Sequence, residues 1–189
     1  LDSAFSYATA NQGDVIYVMP NHAETVTGTS GGIEHDIAGV SVIGLGTGNQ
    51  RPRFLMDAGT SVRYNITAAD ASVSNLVFAS GHSNVVTCFA ITAAAAWFDS
   101  VEFENNTTNE DFLTPIKVTS TADNAGDGLR VLNCRWLNTD ADSLEFLEIN
   151  GNLRGLVFQN NFLSTAGPGA PPSILTAGSK NLTAALITN

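Results

Sequence analysis

The sequence predicts an all-β chain wound as a right-handed parallel β-helix, a single domain over residues 1–189 with about six to seven coils. Three observations predict it. A unit recurs at a fixed spacing: Ile66 to Ile91, Val73 to Phe98, Leu76 to Val101 and Phe78 to Phe103 are each 25 residues apart. A period of that size marks a repeat architecture. Within the unit the pattern is apolar-x-turn-apolar-x-apolar, as in Val73-Ser74-Asn75-Leu76-Val77-Phe78 and Phe98-Asp99-Ser100-Val101-Glu102-Phe103. Its first and fourth positions differ by three, so one straight strand cannot turn both inward, and a bend is needed between them. The bend position holds Gly44, Asn75, Ser100, Asn133, Gln159 and Ala184, of which Gly and Asn tolerate left-handed backbone angles.

The elements follow in chain order. Residues 1–12 read as a short helix, with Leu1, Phe5 and Ala8 on one side. Such a helix caps the first of the coils, which occupy residues 13–189. Units open at positions 42, 73, 98, 131, 157 and 182, in steps of 31, 25, 33, 26 and 25. A third strand precedes each unit, around Ile37, Ile66, Ile91, Val118, Ile149 and Leu175. Gly46 to Arg53 reads as a polar loop, and Thr119 to Gly128 as an insertion. Longer connections after the last strand of each unit stack into a ridge, the final one a stiff segment, Thr165 to Pro172. A β-sandwich also has many short strands but need not hold a fixed period. A leucine-rich repeat would need a Leu-x-x-Leu-x-Leu pattern that this chain lacks.

Gly13-Asp14-Val15-Ile16-Tyr17-Val18-Met19-Pro20, with Glu24 following, resembles the opening coil of pectin-lyase-like parallel β-helix proteins. Ile37-Ala38-Gly39-Val40-Ser41-Val42-Ile43-Gly44 is similar to their second coil. The repeats Ile66-Thr67-Ala68-Ala69 and Ile91-Thr92-Ala93-Ala94 resemble β-helix proteins of tailed-phage virions. The resemblance spans nearly the whole chain. It implies the fold, but not one function, because this fold carries lyases, hydrolases, tailspikes and inert spacers.

Composition narrows the choice. There are 8 Lys and Arg against 18 Asp and Glu, a net charge of −10. That surface repels nucleic acid and anionic membranes, and disfavours a polyanionic sugar such as pectate as substrate unless calcium bridges the charges. The near-apolar run Cys88 to Phe98 is too short to span a bilayer. Two cysteines make no disulfide framework, and Cys134 takes an inward position as a small hydrophobe.

Catalysis finds little support. A β-helix glycosidase needs two carboxylates about 5–9 Å apart, which acids stacked in adjacent coils, about 4.8 Å apart, would supply. One outward column reads Ser74, Asp99, Leu132, Phe158 and Thr183, the other Val77, Glu102, Arg135, Asn161 and Leu186. Neither stacks two acids. Glu102 is expected beside Arg135, as a surface ion pair worth roughly 0–1 kcal/mol. The best catalytic cluster is Asp99, Glu102 and Glu104, around one corner. For a metal, Asp123 and Asp127 sit in a stretch like half a calcium loop, but Ala125 and Cys134 fall where ligands belong, so a polar turn is the simpler reading and no cofactor is expected.

The outward columns carry apolar residues instead: Val77, Leu132, Phe158 and Leu186, with Trp97 beside an inward Phe98. Apolar side chains outside a solenoid need a cover, from the chain's own loops or from a partner. The expectation is a non-enzymatic virion structural protein, a phage capsid decoration (cement) protein on the capsid surface. It would assemble as a homotrimer, as β-helices do side by side, and contact the major capsid protein or another virion protein. The alternative is a tailspike-like or secreted hydrolase, lyase or carbohydrate-binding β-helix.

Overall fold

Three parallel sheets run side by side along a solenoid of about six turns. The computed structural model describes residues 1–27, 32–105, 107, 110–139, 142–165, 173–176 and 180–188. Sheet A stacks Val15–Val18, Ser41–Gly44, Ser72–Ser74, Trp97–Asp99, Arg130–Leu132, Val157–Gln159 and Leu186–Thr188. Sheet B stacks Ala23–Val26, Arg53–Met56, Val77–Ser80, Glu102–Asn105, Arg135–Asn138 and Phe162–Thr165. Sheet C stacks Ile33–His35, Tyr64–Ile66, Val85–Ile91, Phe112–Val118, Glu145–Ile149 and Ser173–Thr176. The chain visits A, B and C in turn, then climbs one coil. A strand therefore pairs only with strands one coil away: Phe98 lies between Val73 and Val131.

The core is built by columns of like residues. Sheet B sends inward Phe54, Phe78, Phe103 and Trp136; sheet C sends Tyr64, Phe89, Ile116 and Leu147; sheet A sends Val42, Val73, Phe98, Val131 and Phe158, all buried. The rings interlock across the axis, with Phe54 and Phe78 stacked at 5.4 Å and Phe78 edge-on to Phe89 at 4.8 Å. Each such side chain contributes about 1.5–3 kcal/mol by leaving water.

The corner between sheets A and B is made as the sequence predicts at Asn75, Ser100 and Asn133, with φ of 54°, 57° and 53°. The Asn75 amide donates to the Gly44 carbonyl in the coil before, at 2.8 Å. Gly44 itself needs no positive φ. Its lack of a side chain matters because a Cβ there would sit 2.2 Å from the Asn75 carbonyl oxygen.

The later units differ from the sequence reading by one residue. Val131 pairs with Phe158, not Val157, and Arg135 with Phe162, not Asn161. The left-handed corner is Asn160 rather than Gln159. Phe158, expected outside, is buried in the core; Phe162, expected inside, is 58% exposed. The shift puts the Phe158 ring in place of Val157 in the sheet A core column, and the left-handed angle on the residue type that tolerates it. It also places Asn161 inside, where its amide accepts from the Cys134 N–H at 2.8 Å and donates to the Val131 carbonyl at 3.0 Å.

A second left-handed column, between sheets C and A, runs through Asn11, Gly39, Asp70, Ala95, Gly128, Gly155 and Ala184. Its N–H groups donate up to the next coil, Asp70 to the Ala94 carbonyl and Ala95 to the Asp127 carbonyl. Ala184 belongs here, not to the A–B corner. Correspondingly Leu182–Thr183 pairs with Leu153–Arg154, and Leu186 with Val157. The expected helix over 1–12 is shorter, Asp2–Phe5. The chain then turns, and Asn11 enters the corner column. Phe5 is buried against the rings of His35 and Tyr64. The expected stiff proline segment, residues 166–172, lies outside the described residues.

Candidate functional site

Side chains alternate along each sheet B strand, so Phe103 points in while Glu102 and Glu104 point out. On the outer face, Glu102 lies between Val77 and Arg135, and Arg53 lies on the far side of Val77. Arg51 reaches the same place from the Gly-rich segment before sheet B, which folds as a 3-10 turn at Gly48–Gln50. The result is a cleft of about 600 Å³ lined by Gly48, Asn49, Arg51, Arg53, Val77, Glu102, Glu104 and Arg135. Glu102 is its hub. One carboxylate oxygen takes the Arg51 guanidinium, and the other takes Arg135 at 3.3 Å. Glu104 takes Arg53 Nε at 2.8 Å.

The expected Glu102–Arg135 pair is present, but not as a pair on the open surface. Glu102 is 6% exposed, so it is a buried carboxylate held by two guanidinium groups. Burial of that kind requires paired charges. Val77, expected as an outer apolar contact, is buried in the cleft floor.

Asp99 does not join the two glutamates. It lies across the Ser100 corner on sheet A, accepting from Ser100 Oγ at 3.0 Å and Asn133 Nδ2 at 2.9 Å. The expected trio is thus split between two faces. A glycosidase needs one carboxyl group to give a proton and a second to attack or to activate water. Glu102 and Glu104 are both engaged by arginine.

Asp123 and Asp127 stitch coils together. Asp123 accepts from Asn152 Nδ2 at 2.6 Å. Asp127 accepts from the Arg154 N–H at 2.8 Å and pairs with its guanidinium at 3.2 Å. Among the described residues no group of three or more His, Cys, Asp or Glu is placed to hold a metal ion.

Sheet A presents the other candidate surface. Its outer face carries two columns in register: Val15, Ser41, Ser72, Trp97, Arg130, Val157, Leu186, and Tyr17, Ile43, Ser74, Asp99, Leu132, Gln159, Thr188. Trp97 is 41% exposed, with the Arg130 guanidinium 5.7 Å from its ring centre. Depressions of about 230 and 400 Å³ flank it, where Ser41 and Ser72 leave space. Val15, Tyr17 and Leu186 are also exposed, and Leu132 is half-buried. Of the five expected contact residues, Trp97, Leu132 and Leu186 therefore share this face, whereas Val77 and Phe158 do not.

Sequence reasoning missed Arg51 and Arg53. A signal for Arg53 was present: it precedes the inward Phe54 as Val77 precedes Phe78, Glu102 precedes Phe103 and Arg135 precedes Trp136. Arg51 carried no signal, because only the fold of its loop brings it to Glu102. It also missed Asp111, a buried acid that accepts from the Asn84 N–H at 2.8 Å and from Ser143 Oγ at 3.1 Å, tying the connections of successive coils.

No helix among the described residues is long and apolar enough to cross a membrane. Comparison with protein-family models, with curated proteins and with solved structures finds no match to this chain.

Proposed function

We propose that the protein is a non-enzymatic structural component of a virus particle, a capsid decoration protein that associates side by side as a trimer. The observation that carries this reading is the outer face of sheet A. Val15, Tyr17, Trp97 and Leu186 are each at least 40% exposed on the outer face of one seven-stranded sheet. Aligned apolar residues of this kind mark a contact surface, and an aromatic such as Trp97 suits its centre. The threefold arrangement and the virion setting come from the resemblance to tailed-phage β-helix proteins. The engagement of both sheet B carboxylates by arginine favours assembly over hydrolysis.

Sedimentation equilibrium of the wild type and of a Trp97→Asp, Leu132→Asp double variant tests the reading. The expected result is a trimeric mass for the wild type and a folded monomer for the variant. A wild type that stays monomeric at tens of micromolar, or a variant of unchanged mass, rejects the sheet A interface. Mass spectrometry of virus particles purified from the source culture tests the setting, and absence of the chain from them rejects it.

A further inference from the structure

We infer that the sheet B cleft is a binding site for a single carboxylate, an aspartate or glutamate side chain on an otherwise uncharged peptide segment of a partner protein. The inference stands on the cleft and is independent of the sheet A interface. The chain has six arginines on a molecule of net charge −10, yet three of them, Arg51, Arg53 and Arg135, line this one cleft. Glu102 is already neutralised by the partly buried Arg51, and Glu104 by Arg53. Arg135 is then a surplus cation, 51% exposed at the rim and at 3.3 Å from a carboxylate that has a closer partner.

Donors remain as well as charge. The described residues give Arg53 a side-chain hydrogen bond at Nε alone and Arg135 one at Nη1 alone, so both Nη atoms of Arg53 and Nη2 of Arg135 have no hydrogen-bond partner among them, although the Arg135 guanidinium also lies 5.8 Å from the centre of the Phe162 ring. Planar guanidinium forks of this kind pair with carboxylates in two-point geometry. The small Val77, between Arg53 and Glu102, leaves that part of the floor open.

The charge balance selects the ligand. Three guanidinium groups against two carboxylates leave one positive charge, which a single carboxylate neutralises. A dianionic phosphate or a polyanion would overshoot it, within a molecule whose overall field repels anions. The cleft is far larger than one oxoanion, and its rim offers the Gly48 backbone and the Asn49 amide. Those groups suit the peptide bonds on either side of an acidic side chain.

The test is fluorescence anisotropy with the intact protein, a labelled glutamate-containing heptapeptide and its glutamine counterpart, at low and high salt. The glutamate peptide should bind, weaken with salt, and lose roughly tenfold or more in affinity with Arg135→Gln. Arg154→Gln, at a different corner, should leave binding unchanged. If Arg135→Gln loses the near-ultraviolet signal of the folded protein, Arg53→Gln takes its place with the same expectation. Equal binding of the two peptides, no binding at millimolar peptide, or indifference to the cleft variants would overturn the proposal. So would competition by inorganic sulfate or phosphate at lower concentration than acetate, which would make the cleft a site for tetrahedral oxoanions.

Discussion

His35 is a buried, titratable residue of the core. Its ring lies 4.5 Å from that of Phe5, and its Nδ1 lies 3.1 Å from the Tyr64 hydroxyl. Burial lowers its pKa to about 4, against the weaker opposing pull of the Val40 backbone and the Asp36 charge. An ordinary histidine titrates near 6.5. The folded form thus prefers the neutral ring. Its contribution is complete above about pH 6.5 and is lost as pH falls from there through 4. The whole effect is worth up to roughly 3 kcal/mol. Urea unfolding between pH 7 and pH 4 should show this loss in the wild type, and His35→Leu should flatten that part of the profile. Equal slopes for the two proteins would mean that His35 is not the group responsible. Asn161 makes a comparable demand without charge. Asn161→Ala leaves the Cys134 N–H and the Val131 carbonyl buried without this partner, at a cost of about 1–3 kcal/mol by the same measurement.

The corners set the shape of each coil. Asn133 sits at φ 53° and Ala95 at φ 59°. A side chain with a branched Cβ is strained there, and glycine is not. Asn133→Val should destabilise by about 1–2 kcal/mol, and Ala95→Gly should stabilise by a few tenths to about 1 kcal/mol. Thermal melts measure both, and a loss of stability in Ala95→Gly would refute the strain argument. The A–B corner was legible in the sequence because asparagine and serine advertise it at Asn75, Ser100 and Asn133. The C–A column was not, because Ala95 and Ala184 interrupt its Asn, Gly and Asp positions, and the bonds that hold it are made by the backbone. The slip at 157–162 has a similar origin. Val157 and Phe158 are both apolar, so hydropathy cannot choose between them, and an inward asparagine defeats any rule that sorts by polarity. In the cleft, the acids were legible by strand parity. Arg51 was not, because it reaches Glu102 across 51 residues of chain.

Over the whole molecule, the core is one continuous stack rather than a set of independent repeats. Rings touch from Phe54 through Phe78, Phe103 and Phe146 to Phe158. Cys88 and Cys134 lie in different coils of it, both buried. Burial pushes the Cys88 thiol well up and that of Cys134 up to about 12. Neither should react with an aromatic disulfide at neutral pH in the native state. As denaturant rises, both should become reactive together, because a shared core opens as a unit. Reaction of one thiol at a clearly lower denaturant concentration would show that the coils melt in sections.

The exclusive pairing of each strand with strands one coil away also governs how the protein is made. Every ladder joins residues about a coil apart in sequence, 25 from Phe98 back to Val73 and 33 on to Val131. Among the described residues no hairpin is available as a quick local nucleus, and loops of that length must close before this pairing forms. Folding is therefore slow from a denatured chain. During synthesis each finished coil offers its upper edge as a template for the segment that emerges next, so growth from the ribosome and growth of the solenoid proceed in the same direction.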